Sequence, residues 1–296
     1  MNTEILGIIA MFTITLVIGV FLGKYIANVY GYKKTFLDKI FQPAENLIYK
    51  ISGINPNRQM TWKQNMSAML TINFVWFILV FFILLNQSWL PLNPDGNPDM
   101  SPDLAFNTAI SFLVNCNLQH YSGETGVSYF SQLYLMFLQF VSAATGMAAM
   151  AVLFKAFRDK TTTELGNFYD FFTKSVIRIL LPLSIVVAFI LSSNGSPMTF
   201  EGKDHITTLE GAKMDVSRGP VAAFVAIKHL GTNGGGFFGA NSAHPLENPN
   251  YTTNMTEMIV QMIIPFALVF ALGFYLKKRK LSWTIFAVMT IGFLAL

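Results

Sequence analysis

Two short polar runs carry the residue types that could do chemistry: Val114-Asn115-Cys116-Asn117-Leu118-Gln119 and Gly231-Thr232-Asn233-Gly234-Gly235-Gly236. Side chains such as Asn115, Thr232 and Asn233 supply neutral oxygens. Three consecutive glycines let backbone carbonyls face a common axis without a Cβ in the way. Rings of neutral oxygens replace the hydration shell of a weakly hydrated monovalent cation, whereas Mg²⁺ or Ca²⁺ would call for carboxylates. Neither run contains Asp or Glu.

Such oxygens work only if something holds them at membrane depth. Each run follows at once on a stretch too apolar for water and too short to cross a bilayer: Asp103–Val114 (DLAFNTAISFLV) and Gly219–Leu230 (GPVAAFVAIKHL). Both predict helices of about three turns. Ser101-Pro102-Asp103 supplies a cap, a first-turn proline and an acid at the positive helix end, and Ser217 and Pro220 do similar work in the second. A half-helix aimed inward presents its negative C-terminal end to the ion. Setting Asn115 on Asn233 also brings Ala105-Phe106 onto Ala223-Phe224 at the same spacing of 118, a weak internal repeat of span, half-helix, polar turn, span. Glycine turns in amphipathic outer loops remain the competing reading of either run alone.

The rest of the chain fits a membrane. Charged residues make up 12% and hydrophobic ones 53%, with a mean hydropathy of +0.47. A soluble domain, with roughly 25% charged residues, could not cover its surface so sparsely. Five runs predict spanning helices: Ile5–Ile26, Met66–Leu85, Tyr129–Phe154, Ser175–Leu191 and Met255–Leu276. The first lacks the basic flank and cleavage site of a signal peptide and reads as a retained helix. A sixth run, from Trp283 to Leu296, would rise about 21 Å against a hydrocarbon core of roughly 30 Å, so the sequence predicts a helix cut short.

Basic residues set the sidedness. The segments 24–63, 155–178 and 277–280 hold all of them except Lys203, Lys213, Arg218 and Lys228, which lie in the two long loops. The positive-inside rule places the basic segments in the cytoplasm, both half-helix loops outside, and the short N-terminus outside. One cysteine, Cys116, excludes an internal disulfide.

Other residues were weighed for chemistry. Asp159-Lys160-Thr161-Thr162-Thr163 has the look of a phosphorylated pump motif, but it sits in a short connector with no room for nucleotide-binding domains. His120, His205, His229 and His244 lack metal-ligand spacing, so no transition metal is expected. Lys228, beside the second run at the pore mouth, is expected to pair with a nearby acid or point to outer water rather than gate the ion. Glu124 and Glu247 follow the two runs at similar distances and could enrich cations at a pore mouth. Gly146, with Ala143, Ala144, Ala148 and Ala149, reads as close helix packing or as a bend where a gate might form. A membrane-embedded enzyme would need a nucleophile–base pair near the outer face, and the runs offer none.

At Gly231-Thr232-Asn233-Gly234-Gly235-Gly236-Phe237-Phe238, continuing Asn241-Ser242-Ala243-His244-Pro245 and Glu247-Asn248-Pro249, the chain closely resembles the potassium-binding A subunit of the bacterial Kdp potassium-transporting ATPase. Asn115-Cys116-Asn117-Leu118-Gln119 leading into Tyr121-Ser122-Gly123-Glu124 agrees, and the resemblance runs along the whole chain.

The resemblance implies an all-α membrane protein with potassium-channel-like span–pore-loop–span repeats. Here that means five full transmembrane helices, a truncated sixth and two re-entrant pore helices. Its parts would be an N-terminal helix and cytoplasmic segment (1–63), a first repeat (64–156), a second (157–280) and the start of a third (281–296).

The implied function is that of the ion-selecting, non-hydrolysing subunit of a K⁺ importer in the bacterial inner membrane. Its partners would be a P-type ATPase subunit that binds ATP and Mg²⁺, a small C subunit and a single-span peptide, with no nucleic acid. Carried over by residue, the filter positions are Val114, Asn115, Cys116 and Asn117 with Thr232, Asn233, Gly234 and Gly235, flanked by Gln119 and Gly231. Val114 and Cys116 depart from the hydroxyl residues expected there, and Gly239 from an expected Asn. That puts side-chain coordination by the first loop in doubt and leaves backbone coordination intact. A stand-alone potassium channel or ion-coupled transporter with the same pore units is the alternative.

Overall fold

The computed structural model of the protein describes residues 3–116 and 118–295. Asn117, an expected filter position, lies outside the described residues. In chain order the elements are α1 (Thr3–Tyr30), α2 (Asp38–Ser52), α3 (Trp62–Leu84), α4 (Pro102–Leu113), α5 (Gly123–Gly126) and α6 (Tyr129–Arg158). Then follow α7 (Phe168–Lys174), a π-type segment (Ser175–Leu180) and α8 (Leu181–Ser193), β1 (Asp204–Thr207), β2 (Lys213–Val216), α9 (Val221–Leu230), α10 (Tyr251–Tyr275) and α11 (Arg279–Ala295).

Five helices are long and apolar enough to cross a membrane: Ile5–Tyr30, Trp62–Leu84, Tyr129–Arg158, Phe168–Ser193 and Tyr251–Tyr275. These are the five expected spans, each begun earlier or carried further than its apolar run. The fourth starts seven residues earlier, because Asn167 caps it by accepting from the backbone N–H of Tyr169 and Asp170. Its turns widen at Ser175–Leu180, just ahead of Pro182, which has no N–H to donate back along the helix. The two half-helices also form, as α4 and α9. The second begins only at Val221, because Pro220 takes the cap position with ψ 49.

The chain folds as two compact units. The first comprises the described residues up to Thr71, Ala144–Pro182 and those from Met258 on. Every basic residue except Lys203, Lys213, Arg218 and Lys228 falls in it. Phe266, Phe270 and Phe286 form its aromatic core, with Phe12, Leu16 and Val20 of α1 packed against them. The helices approach closely at Gly23, where a Cβ would lie 2.6 Å from the Ala267 carbonyl oxygen.

Several buried charged side chains in this unit find partners. Arg178, in the π-type segment, forks onto Glu45 and also reaches Asp38 Oδ1 at 2.5 Å, tying α2 to the fourth span. Asp170 accepts from Lys174 (2.9 Å), Tyr32 (2.7 Å) and Tyr49 (2.7 Å). Such buried carboxylates persist only when their lone pairs are filled this way.

Gly146 differs from expectation. A Cβ there would meet nothing within 4 Å, so no neighbour crowds the glycine itself, and α6 continues through it as helix. Ala144 and Ala148 beside it are buried.

The second unit, Ile72–Ala143 and Leu183–Glu257, contains both half-helices and the polar runs. α4 and α9 meet through Phe112 and Phe224, whose ring centroids are 6.4 Å apart edge to face. An antiparallel hairpin pairs Asp204 with Val216 and Thr207 with Lys213. Residues 204–216 carry no strand signal strong enough to predict it.

Candidate cation-binding site

Both half-helices end in the same turn. Val114 N–H donates to Ile110 O (2.9 Å) and Cys116 N–H to Ser111 O (3.1 Å). Gly231 N–H donates to Ile227 O (2.7 Å) and Asn233 N–H to Lys228 O (2.9 Å). In between, Asn115 (φ 62) and Thr232 (φ 57) adopt the left-handed conformation that closes such a helix end. Asn tolerates it, but for β-branched Thr232 it is strained, and strain of this kind concentrates at functional sites.

The shared geometry corrects the repeat register. It pairs Val114 with Gly231, Asn115 with Thr232 and Cys116 with Asn233, one residue short of the spacing of 118 suggested by matching Asn115 to Asn233. Letters aligned the two asparagines; the turns align their backbones.

The two turns touch. Asn115 Nδ2 donates to Gly231 O at 3.1 Å and to Thr232 Oγ1 at 3.3 Å, while Thr232 Oγ1 donates to Gly231 O at 2.7 Å. Behind them, the buried side chains Gln132, Gln139 and Ser142 of α6 line up at helical spacing. Gln139 Nε2 donates to Gly235 O (2.9 Å) and Gln132 Nε2 to Phe237 O (2.9 Å). Ser142 Oγ lies 3.0 Å from Asn115 Oδ1 and 3.4 Å from Asn233 Oδ1, and its single proton can serve one of them at a time. These three residues escaped the sequence reading. Polar side chains seven and three residues apart on one face of an apolar span were the available signal.

Gln119 works in the opposite direction. Its Oε1 accepts from Gly236 N–H at 3.0 Å and its Nε2 reaches Phe238 O at 3.5 Å. Asn241 N–H donates to Gly234 O at 3.0 Å. The carbonyls of Gly231, Gly234, Gly235 and Phe237 are therefore occupied. Among the described residues, no hydrogen bond ends on the carbonyls of Val114, Asn115, Cys116, Thr232 or Asn233. Val114 and Cys116 are exposed, Asn115, Gln119, Thr232 and Gly234 half-buried, and Gly231, Asn233 and Gly235 buried.

The residues expected at a pore mouth part company. Lys228 Nζ lies 2.9 Å from Glu247 Oε2, and neither is a solvated mouth residue: their relative exposures are 1% and 0%. Glu247 Oε1 accepts from Phe238 N–H (2.8 Å), and Lys228 also donates to Ser242 Oγ (2.6 Å). Glu124, in α5, is half-buried, and its Oε2 is enclosed with no hydrogen-bond partner among the described residues. The loop around it fits only glycine at 123, where a Cβ would fall 1.6 Å from Phe237 O.

Asp159, of the pump-like Asp-Lys-Thr string, is held at a pKa of about 2, first by its hydrogen bond from Arg158. Its carboxylate is tied into an ion pair with Arg158 and Lys155, the use a connector makes of an acid.

Residues 9–296 match the family model described as the potassium-transporting ATPase A subunit. The chain belongs to that family. Among its relatives, the potassium-transporting ATPase potassium-binding subunit of Flavobacterium psychrophilum is 67% identical over 296 residues, covering 100% of this chain and 52% of the relative. The subunit of the same name from Bacteroides thetaiotaomicron is 55% identical over 295 residues, 99% of this chain and 52% of the relative. That of Caldanaerobacter subterraneus is 46% identical over 276 residues, 93% of this chain and 49% of the relative. The A-subunit chain described here thus spans about half the length of the curated relatives it matches. Membership agrees with the all-α, multi-span architecture.

Proposed function

We propose that this chain supplies part of the ion-binding and selectivity path of an ATP-driven potassium importer. Potassium arrives from the outer face, sheds water at the turns after α4 and α9, and passes on toward a P-type ATPase partner. The observation that carries this reading is the matched pair of turns whose carbonyls at Val114–Cys116 and Thr232–Asn233 take no hydrogen bond among the described residues, while those of Gly231, Gly234, Gly235 and Phe237 are claimed. Unclaimed oxygens at the negative ends of two half-helices suit a dehydrated K⁺. The claimed ones fix the distance between them, so that a smaller ion cannot pull the ring inward without breaking protein hydrogen bonds.

On this reading Gly231, Gly234, Gly235 and Gln119 shape the filter and the carbonyls of Val114, Asn115, Cys116, Thr232 and Asn233 face the ion. The spans and half-helices group as two span–pore–span repeats, 64–156 and 157–280, after an N-terminal part (1–63) and before the beginning of a third (281–296). K⁺ is cargo; ATP and Mg²⁺ belong to the ATPase partner, and a small C subunit and a single-span peptide complete the assembly. The basic segments face the cytoplasm and the N-terminus the outside of the bacterial inner membrane.

The test is potassium-stimulated ATPase activity of the assembled complex containing the intact subunit. Activity that needs K⁺ and the partners supports a pump subunit. Conductance by the purified subunit alone in a bilayer would favour the channel reading.

A further inference from the structure

The first unit contains a cavity of about 770 Å³ between the end of α1 and the turn joining α10 to α11. Lys24 and Lys33 line it from one side of the sequence, and Lys277, Lys278, Arg279 and Lys280 from the other. No Asp or Glu lines it, and among the described residues none of the six forms an ion pair. Four other cations of this unit, Lys155, Arg158, Lys174 and Arg178, each have a carboxylate within reach, whereas these six are brought together with none. Six cations gathered around one cavity repel one another, and an anion in the cavity would relieve that cost.

The lining also says what kind of anion fits. Phe274 and Leu281 give the cavity an apolar side, and Asn28 adds an uncharged amide. Arg279 opens α11, so the positive end of a 17-residue helix adds to the field at the rim. Phe21 of α1 and Trp283 of α11 are exposed on the same two helices, offering apolar surface beside the charged mouth. A free phosphate has no use for such surface; the acyl chains of a lipid do. Basic clusters at the ends of spanning helices favour anionic headgroups by about a kcal/mol per residue.

We propose that this cavity binds the phosphate headgroup of an anionic membrane lipid, with its chains running along α1 and α11. Only the assignment to the cytoplasmic leaflet rests on the orientation proposed above; the site itself does not.

The test uses the complete complex in detergent, titrated with phosphatidylglycerol, phosphatidylcholine and soluble glycerol 3-phosphate, with bound lipid read by native mass spectrometry. The expected result is phosphatidylglycerol bound at least tenfold more tightly than phosphatidylcholine, with glycerol 3-phosphate unable to displace it at equal concentration. Lys278→Gln with Lys280→Gln should weaken phosphatidylglycerol by roughly thirtyfold, as two headgroup charges are lost. Lys213→Gln, on the exposed hairpin, should leave it unchanged. Equal binding of the two lipids, or no effect of the double change, overturns the proposal. Binding of glycerol 3-phosphate as tight as that of the lipid also overturns it, in favour of a soluble phosphate site. Potassium-stimulated ATPase of the same preparation is read separately. Its absence alongside specific lipid binding would sink the transport reading and leave the lipid site standing.

Discussion

Lys228 Nζ and Glu247 Oε2 lie 2.9 Å apart, and both side chains are sealed from solvent. Lys228 belongs to the last turn of α9, whose C-terminal end carries the partial negative charge proposed to favour an incoming cation. Left alone, its ammonium would cancel that field. Glu247 neutralises it and, through its second oxygen, holds Phe238 N–H at 2.8 Å.

Glu247→Gln should therefore do more harm than the loss of one bond. It leaves a buried ammonium uncompensated beside the second turn, a change that costs about 3–5 kcal/mol in buried pairs. The half-saturating K⁺ concentration for ATPase stimulation should rise at least tenfold. Lys228→Met combined with Glu247→Gln should recover part of the loss, because no unpaired charge remains. Equal impairment of single and double variants would show that packing, not charge, is at stake.

Gln139→Leu removes the donor to Gly235 O while keeping bulk in the span. Losing one buried hydrogen bond is worth about 1 kcal/mol. The expected outcome is a K⁺ over Na⁺ preference reduced roughly fivefold, with assembly of the complex intact. An unchanged preference would mean the Gly235 carbonyl needs no such support.

Gly123→Ala tests the packing of the loop after the first turn. An added Cβ would sit 1.6 Å from a backbone oxygen, which cannot swing away as a side chain would. Overpacking against backbone should cost about 3 kcal/mol or more, seen as a lower thermal midpoint of the purified complex.

The β1–β2 hairpin has a pH dependence of its own. His205 Nδ1 lies 2.6 Å from Asp215 Oδ1, and that hydrogen bond raises the His205 pKa above its ordinary value. A raised folded value means the contribution is full below the unfolded pKa of about 6.5 and fades as pH rises through the folded one. An NMR titration should show His205 protonated to higher pH than in Asp215→Asn, where the value falls back.

Much of this was legible in the sequence because solvent imposes it. Apolar runs of spanning length became helices, and Asp103–Val114 and Gly219–Leu230 became half-helices within a residue or two. The polar turns were found from composition alone. Their register was not, since the turn depends on which residue takes positive φ, and Thr232 does so against its steric preference. The Lys228–Glu247 pair joins residues separated by a loop whose path no local pattern predicts. Gln132, Gln139 and Ser142 were hidden because an apolar span makes its few polar residues look incidental. The anchoring of α2 by Arg178 required knowing where the segment after α1 folds back.

The central claim is that the turns after α4 and α9 select potassium. The most direct measurement is the K⁺ and Na⁺ dependence of ATPase activity in the assembled complex carrying Gly234→Asp. This places a carboxylate among the neutral oxygens and a Cβ where the backbone turns. The account predicts a half-saturating K⁺ concentration at least tenfold higher and the appearance of stimulation by Na⁺. Normal K⁺ affinity with continued rejection of Na⁺ would contradict it.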